Sequence, residues 1–428
     1  MPVTRAPSGT LLLGGVSLAD LVARLGTPTY VYDLGAMAGE ARSLDAAFDG
    51  SPHLVAYALK ANTAGAVVRT LVGAGCGADV VSGAELAVAL GCGVAPDRIL
   101  YSGVAKTDVE IDRAIAAGPH GIAAIQIESV EEIARVEARA RALNRRARVG
   151  VRVNPGLDLQ GATHAHIATG HARAKFGVPQ EDAVRAVDLA ERSPHLELVG
   201  IAMHLGSQFR DTQPYVDAVR VELALVRALR DAGRGRSLTY VDTGGGFGVD
   251  YDGDRPGMAR PTDFVRAARA EQAKHRLEDL ALCIEPGRSL VAPHGVLLAR
   301  VIQRKESSSG RWLMIDAGMN DLLRPALYGA RHRIVPLARE VDPRTAVPWQ
   351  VVGPVCESSD DFGEYLLPAD APDAVAILDA GAYGFTMASE YNGRQLPVEA
   401  FVRGGRLDAS TPRPKLDAWV ADRLRSGA

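Results

Sequence analysis

The chain lacks the features that mark several classes of protein. It has only four cysteines in 428 residues, Cys76, Cys92, Cys283 and Cys356, and none stands at a metal-ligand spacing. Three of them lie in or beside apolar segments and read as buried thiols, while Cys356 has a different setting. No uninterrupted apolar run is long enough to cross a membrane. Leu11–Leu13 is too short for the apolar part of a signal peptide and lacks a basic start and a cleavage pattern, so a cytoplasmic location is expected. A strong excess of either charge is absent too. The chain carries 48 basic and 51 acidic side chains, a formal charge of -3, which gives no reason to expect a nucleic-acid partner. What is present describes a globular chain: 47% hydrophobic and 23% charged residues, with 45 glycines and 24 prolines to make turns. Its length exceeds one typical core, so two domains are expected.

The stretch Val55–Asn62, VAYALKAN, delivers one lysine, Lys60, to the C-terminal end of a short apolar strand. A lysine there is costly unless it has a partner or a covalent role. A solvated lysine just past a strand is the plain alternative. Strand-like runs occur at His53–Leu59, Ala78–Val81, Ile99–Ser102, Ile122–Gln126, Arg148–Val153, Leu198–His204, Leu238–Asp242 and Leu280–Glu285. Helical segments separate them, at Thr63–Gly73, Ala84–Leu90, Asp108–Ala117, Val130–Leu143, Gln180–Arg192, Pro214–Ala232 and Pro261–Arg276. Eight strands alternating with helices predict an α/β fold, a closed (β/α)8 barrel of the TIM type. An open doubly wound sheet would show a GxGxxG turn after its first strand, and none follows this one.

Before the barrel, Ser17–Arg24 reads as a short helix capped by Ser17, Thr27–Tyr32 as a strand, and Leu34–Phe48 as a helix. After Pro286 the pattern turns to β, with strands expected at Val291–Gln303, Arg311–Asp316, Val351–Gly353, Val375–Asp379 and Val398–Val402, and a helix at Lys415–Arg425. The expected organisation is therefore a barrel over residues 34–286, with residues 1–33 and 287–428 forming a second, mostly β domain.

Barrel chemistry gathers at the C-terminal ends of the strands. Those ends supply Lys60 and Asn62, Asp79 and Ser82, Arg152, Asn154 and Gly156, His204 with Ser207 and Gln208, Asp242 with the run Gly244, Gly245, Gly246, and Glu285 with Gly287 and Arg288. Taken singly, each is explained by a loop or cap. The glycine run lacks the lysine and hydroxyl of a Walker motif but can turn several backbone N–H groups toward one anion, with the Ser207 hydroxyl beside them. A phosphate held there and an amine at Lys60 point to pyridoxal 5'-phosphate, which needs a Schiff-base lysine, a phosphate anchor and a partner for its ring nitrogen. Glu285 is the expected partner for that nitrogen, His204 is placed to stack on the ring, and Asp79 joins the cofactor-binding set. In the second domain, Arg324 and Tyr328 stand four residues apart, on one face if helical, and arginine suits a carboxylate. Cys356 beside Glu357 offers a proton donor, with an unperturbed pKa of roughly 8.5. Tyr383, among glycine and alanine, can reach a phosphate oxygen.

With these motifs the chain resembles the fold type III pyridoxal phosphate-dependent decarboxylases, the family of ornithine, arginine and diaminopimelate decarboxylases. The matching segments are Tyr57–Asn62 (YALKAN), His204–Gln208 (HLGSQ), Gly244–Gly248 (GGGFG), Glu285–Arg288 (EPGR), Asp316–Tyr328, Gly353–Ser358 (GPVCES) and Asp379–Tyr391. YALKAN and EPGR belong to the wider family; Asp316–Tyr328 and CES are closer to the diaminopimelate branch. The resemblance implies that Lys60 carries the cofactor, His204 stacks on the pyridine and Glu285 contacts its nitrogen. It implies that Ser207, the glycine run and Tyr383 hold the phosphate, with Gly287 beside it. Arg288, Arg324 and Tyr328 would hold substrate carboxylates, Glu357 would read the distal amino end, and Cys356 would be the proton donor. It further implies a homodimer with shared active sites, Cys356 and Glu357 coming from the partner subunit. The sequence departs from the family at Tyr101–Lys106 (YSGVAK), where a GNNK-like run is usual, and at Glu390, where asparagine is common.

The implied reaction is decarboxylation of meso-2,6-diaminopimelate to L-lysine. The alternatives are a decarboxylase of another amino acid or carboxylated polyamine precursor, an amino acid racemase, and a non-catalytic carrier of the cofactor. Arg324 favours a substrate with a second carboxylate, and the second domain argues against a carrier, which generally needs only a barrel.

Overall fold

Eight short apolar segments pair in parallel into a ring. A computed structural model gives the structure over residues 3–157, 174–253 and 257–425. The ring strands are His53–Ala58, Gly77–Val80, Ile99–Tyr101, Ala124–Ile127, Ala147–Asn154, Leu196–Ala202, Tyr240–Asp242 and Ala281–Ile284. Each pairs with the next, and the eighth closes on the first through Leu282 with His53, Cys283 with Leu54 and Ile284 with Val55. Strands with both faces covered must be apolar throughout, which is why they read as runs and not as alternations. The interior is filled unevenly. A Cβ on Gly200 would lie 2.1 Å from the Tyr240 ring, so the tyrosine occupies the space that this glycine leaves.

Helices return the chain between strands. Several start where a hydroxyl takes over an orphan backbone donor: Ser82 accepts from the Glu85 N–H, Ser129 from that of Glu132, and Thr107 forms a capping box with Glu110. The expected strands and helices are all present, with ends shifted by a few residues. Two shifts matter for the site. The first strand stops at Ala58, and Lys60 sits on the 3-10 turn Leu59–Ala61 that follows. The sixth stops at Ala202, so His204 lies beyond it.

This barrel belongs to one compact unit, Ala38–Val249 with Pro256–Ser289. The other is Met1–Met37 with Asp250–Arg255 and Leu290–Ala428. Its main sheet runs in the order Asp361–Pro368, Ala346–Val352, Gly310–Ile315, Gly295–Ser307, Thr29–Asp33, Val398–Arg403, Arg406–Ser410. The strand Thr29–Asp33 is central, antiparallel to Gly295–Ser307 and parallel to Val398–Arg403. Leu13, Leu18, Val31, Leu298, Ala376 and Val402 lie in one buried cluster of this unit. The N-terminal helix is Leu18–Leu25, with the Ser17 hydroxyl accepting from the Asp20 N–H at 3.2 Å.

Several features of this unit differ from expectation. The long strand begins at Gly295 and not at Val291, because Arg288–Val291 forms a helical turn. Leu11–Leu13 is a strand of a small three-stranded sheet. Asp361–Pro368 and Arg406–Ser410 are strands with no expected counterpart. In the first of these a bulge opposite Val351 and Val352, beside Gly363 at φ 101°, breaks the two-residue alternation that would mark a strand.

Candidate active site

The Lys60 amine lies 2.8 Å from Asp79 Oδ2. The lysine side chain keeps 34% of its exposure, whereas Asp79 has none. The turn carrying Lys60 is fixed from below: the Ala58 N–H donates to the Pro286 carbonyl at 3.1 Å, and the Tyr57 hydroxyl to that of Asn62 at 2.8 Å. Gly287 lets the Glu285–Arg288 segment come this close, since a Cβ there would sit 3.0 Å from Ala61 Cβ. Asp79 Oδ1 is buried with no hydrogen-bond partner among the described residues.

Glu285 follows the eighth strand and is buried. The Ser102 hydroxyl donates to its Oε1 at 3.1 Å. Burial, then the nearby Asp242 and Asp79 carboxyls, push its pKa well up, against the opposing pull of Lys60 and Arg152. Asp242 is itself pushed up to about 7, chiefly by burial. These two interacting carboxyls therefore retain a proton at neutral pH. His204 Nδ1 is 3.7 Å from Glu285 Oε2, but the pair is not ionic. Burial, then Arg152 and Lys60, hold the His204 pKa well below its usual value, and its Nδ1 accepts the Gly245 N–H at 3.3 Å. The imidazole is thus neutral, with its proton on Nε2.

The glycine run is tight because it must be. A Cβ on Gly245 would stand 2.1 Å from the Glu285 carbonyl oxygen, and one on Gly246 2.3 Å from that of Gly206. Gly244 and Gly246 take φ of 68° and 89°, which favour glycine. Arg288 is buried, and its Nε and Nη2 lie 3.3 and 3.2 Å from Ser207 Oγ. The barrel unit therefore gathers Lys60, Asp79, His204, Ser207, Gly244–Gly246, Glu285, Gly287 and Arg288 at the C-terminal ends of its strands.

Sequence reasoning gave no role to Ser102, or to Glu128, whose carboxylate accepts from Arg152 Nη1 at 2.8 Å and from the Gly103 and Gly177 N–H groups. Both sit one residue past a barrel strand, which was the available signal. Lys106, in the divergent loop, is buried, with Nζ 2.7 Å from the Gln126 carbonyl and 3.0 Å from Glu132. It serves as a staple between loop and barrel.

The other unit carries the remaining residues. Arg324 is buried on the short helix Arg324–Tyr328, which ends at Gly329 in left-handed conformation. Its guanidinium lies 4.3 Å from the Tyr251 ring centroid and donates from Nη1 to His332 Nε2 at 2.6 Å. Tyr328 is half-buried at the other end of this helix. Tyr383 takes φ 54°, an uncommon conformation for a side chain of its size. Cys356 and Glu357 are exposed on the loop after Ala346–Val352. Of the other cysteines, Cys76 and Cys283 are buried, the first with its pKa pushed up to about 12 by burial; Cys92, expected to be buried, is only half so. Glu390 pairs with Arg423 at 2.7 Å.

An amine on a buried acid, a protonated carboxyl pair, a neutral imidazole and a glycine cradle at one barrel mouth suit a phosphorylated pyridine aldehyde. A fold and site of this kind fit a barrel-type pyridoxal phosphate-dependent enzyme. Residues 34–292 match the family model of the pyridoxal-dependent decarboxylase pyridoxal-binding domain. The chain is 40% identical over 420 residues to a diaminopimelate decarboxylase of Zymomonas mobilis, covering 97% of both chains. It is 40% identical over 397 residues to that of Pseudomonas aeruginosa, covering 92% of both. Among solved structures it is similar to diaminopimelate decarboxylase from M. jannaschii in co-complex with L-lysine, with TM-score 0.90, 34% identity, and coverage of 98% and 97%. The chain belongs to the diaminopimelate decarboxylase family, whose members use pyridoxal phosphate.

Proposed function

We propose that the protein removes carbon dioxide from the D-centre of meso-2,6-diaminopimelate, leaving L-lysine. The observation that carries this reading is the Lys60–Asp79 contact at 2.8 Å beside the buried Glu285. Lys60 would anchor the cofactor, with the glycine run, Ser207 and Tyr383 at its phosphate and Gly287 beside them. Pyridoxal phosphate, when bound, supplies the electron sink for the pair left at Cα as carbon dioxide departs.

The residues of this chain do the rest. Glu285 would face the ring nitrogen and favour its protonated form, with the interacting Asp242 carboxyl behind it. His204, kept neutral, offers a flat face without repelling a cationic ring. Asp79 keeps the Lys60 amine oriented. Arg324, Tyr328 and Arg288 bind carboxylates; the distal one makes a substrate lacking it a poor fit, since a buried guanidinium then loses its counter-charge. Glu357 accepts the distal ammonium. Cys356 gives a proton to Cα, balancing the lost carboxylate. The same reading makes the protein a cytoplasmic homodimer in which Cys356 and Glu357 serve the site of the other subunit. Its support is that both residues are exposed on their own unit.

Purified protein with pyridoxal phosphate and meso-diaminopimelate should release lysine and carbon dioxide in equal amounts. Release of neither, or interconversion of stereoisomers without carbon dioxide, would overturn the assignment.

A further inference from the structure

Two side chains of the turn Tyr391–Gly393 reach the Cys356–Glu357 pair. The Tyr391 hydroxyl donates to Glu357 Oε1 at 2.5 Å, and Asn392 Oδ1 accepts the Cys356 N–H at 2.8 Å. Asn392 does so from left-handed conformation, φ 58° and ψ 23°, which asparagine tolerates better than most residues. The turn is braced from behind: a Cβ on Gly393 would lie 3.3 Å from the Trp419 ring, and Arg423 on the same helix pairs with Glu390. The Cys356 loop is held from its other side by buried Asp360, whose carboxylate accepts the Val355 and Met319 N–H groups, each at 2.6 Å.

This bracket surrounds an exposed pair. Tyr391 retains 47% of its exposure, and Glu357 is exposed as well. A hydrogen bond in that setting is screened by water and contributes little to stability, while fixing both side chains costs rotamer freedom. Such an arrangement serves the direction of a carboxylate better than it serves the fold. Tyr391 occupies Oε1, and no described residue bonds Oε2. The neighbouring carboxylate raises the pKa of the phenol, so Tyr391 keeps its proton and remains a donor.

We propose that Tyr391 is a positioning residue: its hydroxyl fixes Glu357 so that the second carboxylate oxygen meets the distal ammonium of the substrate, and it thereby sets selectivity for a substrate with an amine at its far end. This rests on the reading that Glu357 recognises that end.

The test uses cofactor-loaded Tyr391→Phe, which loses only the hydroxyl, with two ligands. One is meso-diaminopimelate; the other is D-2-aminopimelate, which lacks the distal amine and is measured as a competitive inhibitor. KM for meso-diaminopimelate should rise about tenfold with kcat little changed, while the inhibition constant of D-2-aminopimelate stays as in wild type. In a Glu357→Gln background the same change should add no further loss. An equal weakening of both ligands would indicate a merely structural role and overturn the proposal, as would no change in either. Wild-type protein inactive on meso-diaminopimelate would instead overturn the functional reading, and this proposal with it.

Discussion

The guanidinium of Arg324 is held by His332, 2.6 Å from Nη1 to Nε2. His332 can accept there because its Nδ1 lies 2.8 Å from the Leu378 carbonyl and carries the ring proton. The pair fixes a buried cation against the Tyr251 ring, so the direction of Arg324 is set before any substrate arrives. Replacing His332 by alanine removes this acceptor and loosens the aim of the guanidinium. We expect a loss of about 1–3 kcal/mol in stability and a KM for meso-diaminopimelate raised about tenfold. Denaturant melts and steady-state kinetics measure the two. An unchanged KM would show that Arg324 does not face the substrate.

Gly245 is a second point of close approach. Alanine there puts a methyl group 2.1 Å from the Glu285 carbonyl oxygen, a backbone atom that cannot step aside. Gly245→Ala should lower stability by about 1–3 kcal/mol and weaken cofactor binding more than the melting shift alone explains. Gly39, inside the helix Leu34–Ala46, has nothing within 4 Å of its absent Cβ, and alanine there should stabilise. The expected gain at Gly39 is about 0.5–1 kcal/mol. Thermal melts and equilibrium titration with pyridoxal phosphate separate the two variants.

The barrel strands were legible because parallel strands buried on both faces leave continuous apolar runs, and Lys60 stands out because it ends one of them. The glycine run stood out as a turn able to present backbone N–H groups to an anion, but its close approach to the Glu285 and Gly206 carbonyls shows only in the fold. His332 was not legible: it lies eight residues beyond Arg324 and meets it only through the fold. Glu128 and Ser102 were hidden in plain polar positions after their strands, where capping is the ordinary explanation. The strand Asp361–Pro368 was hidden by its bulge.

Asp242 carries a pH dependence. Its pKa rises from 3.8 in an unfolded chain to about 7 in the fold, chiefly by burial. The folded state therefore binds more protons across that interval. The contribution of this group to stability is fully present below about pH 4 and is lost as pH rises through about 7. The apo protein should melt at a lower temperature at pH 8 than at pH 5, and Asp242→Asn should flatten that slope. The comparison of variant with wild type isolates the interacting Asp242 and Glu285 carboxyls from Asp321 and Glu399, which are also pushed up to about 7 and act with the same sign. Parallel slopes in the two proteins would place the titrating group elsewhere.

Lys60, held by Asp79, is expected to be the lysine that bears the cofactor. Loading the protein with pyridoxal phosphate, trapping with borohydride and locating the phosphopyridoxyl mass on a peptide map decides this. The label should fall on Lys60 and be absent from Lys60→Ala. Label on another lysine such as Lys106, or retained at full yield in Lys60→Ala, would contradict this assignment.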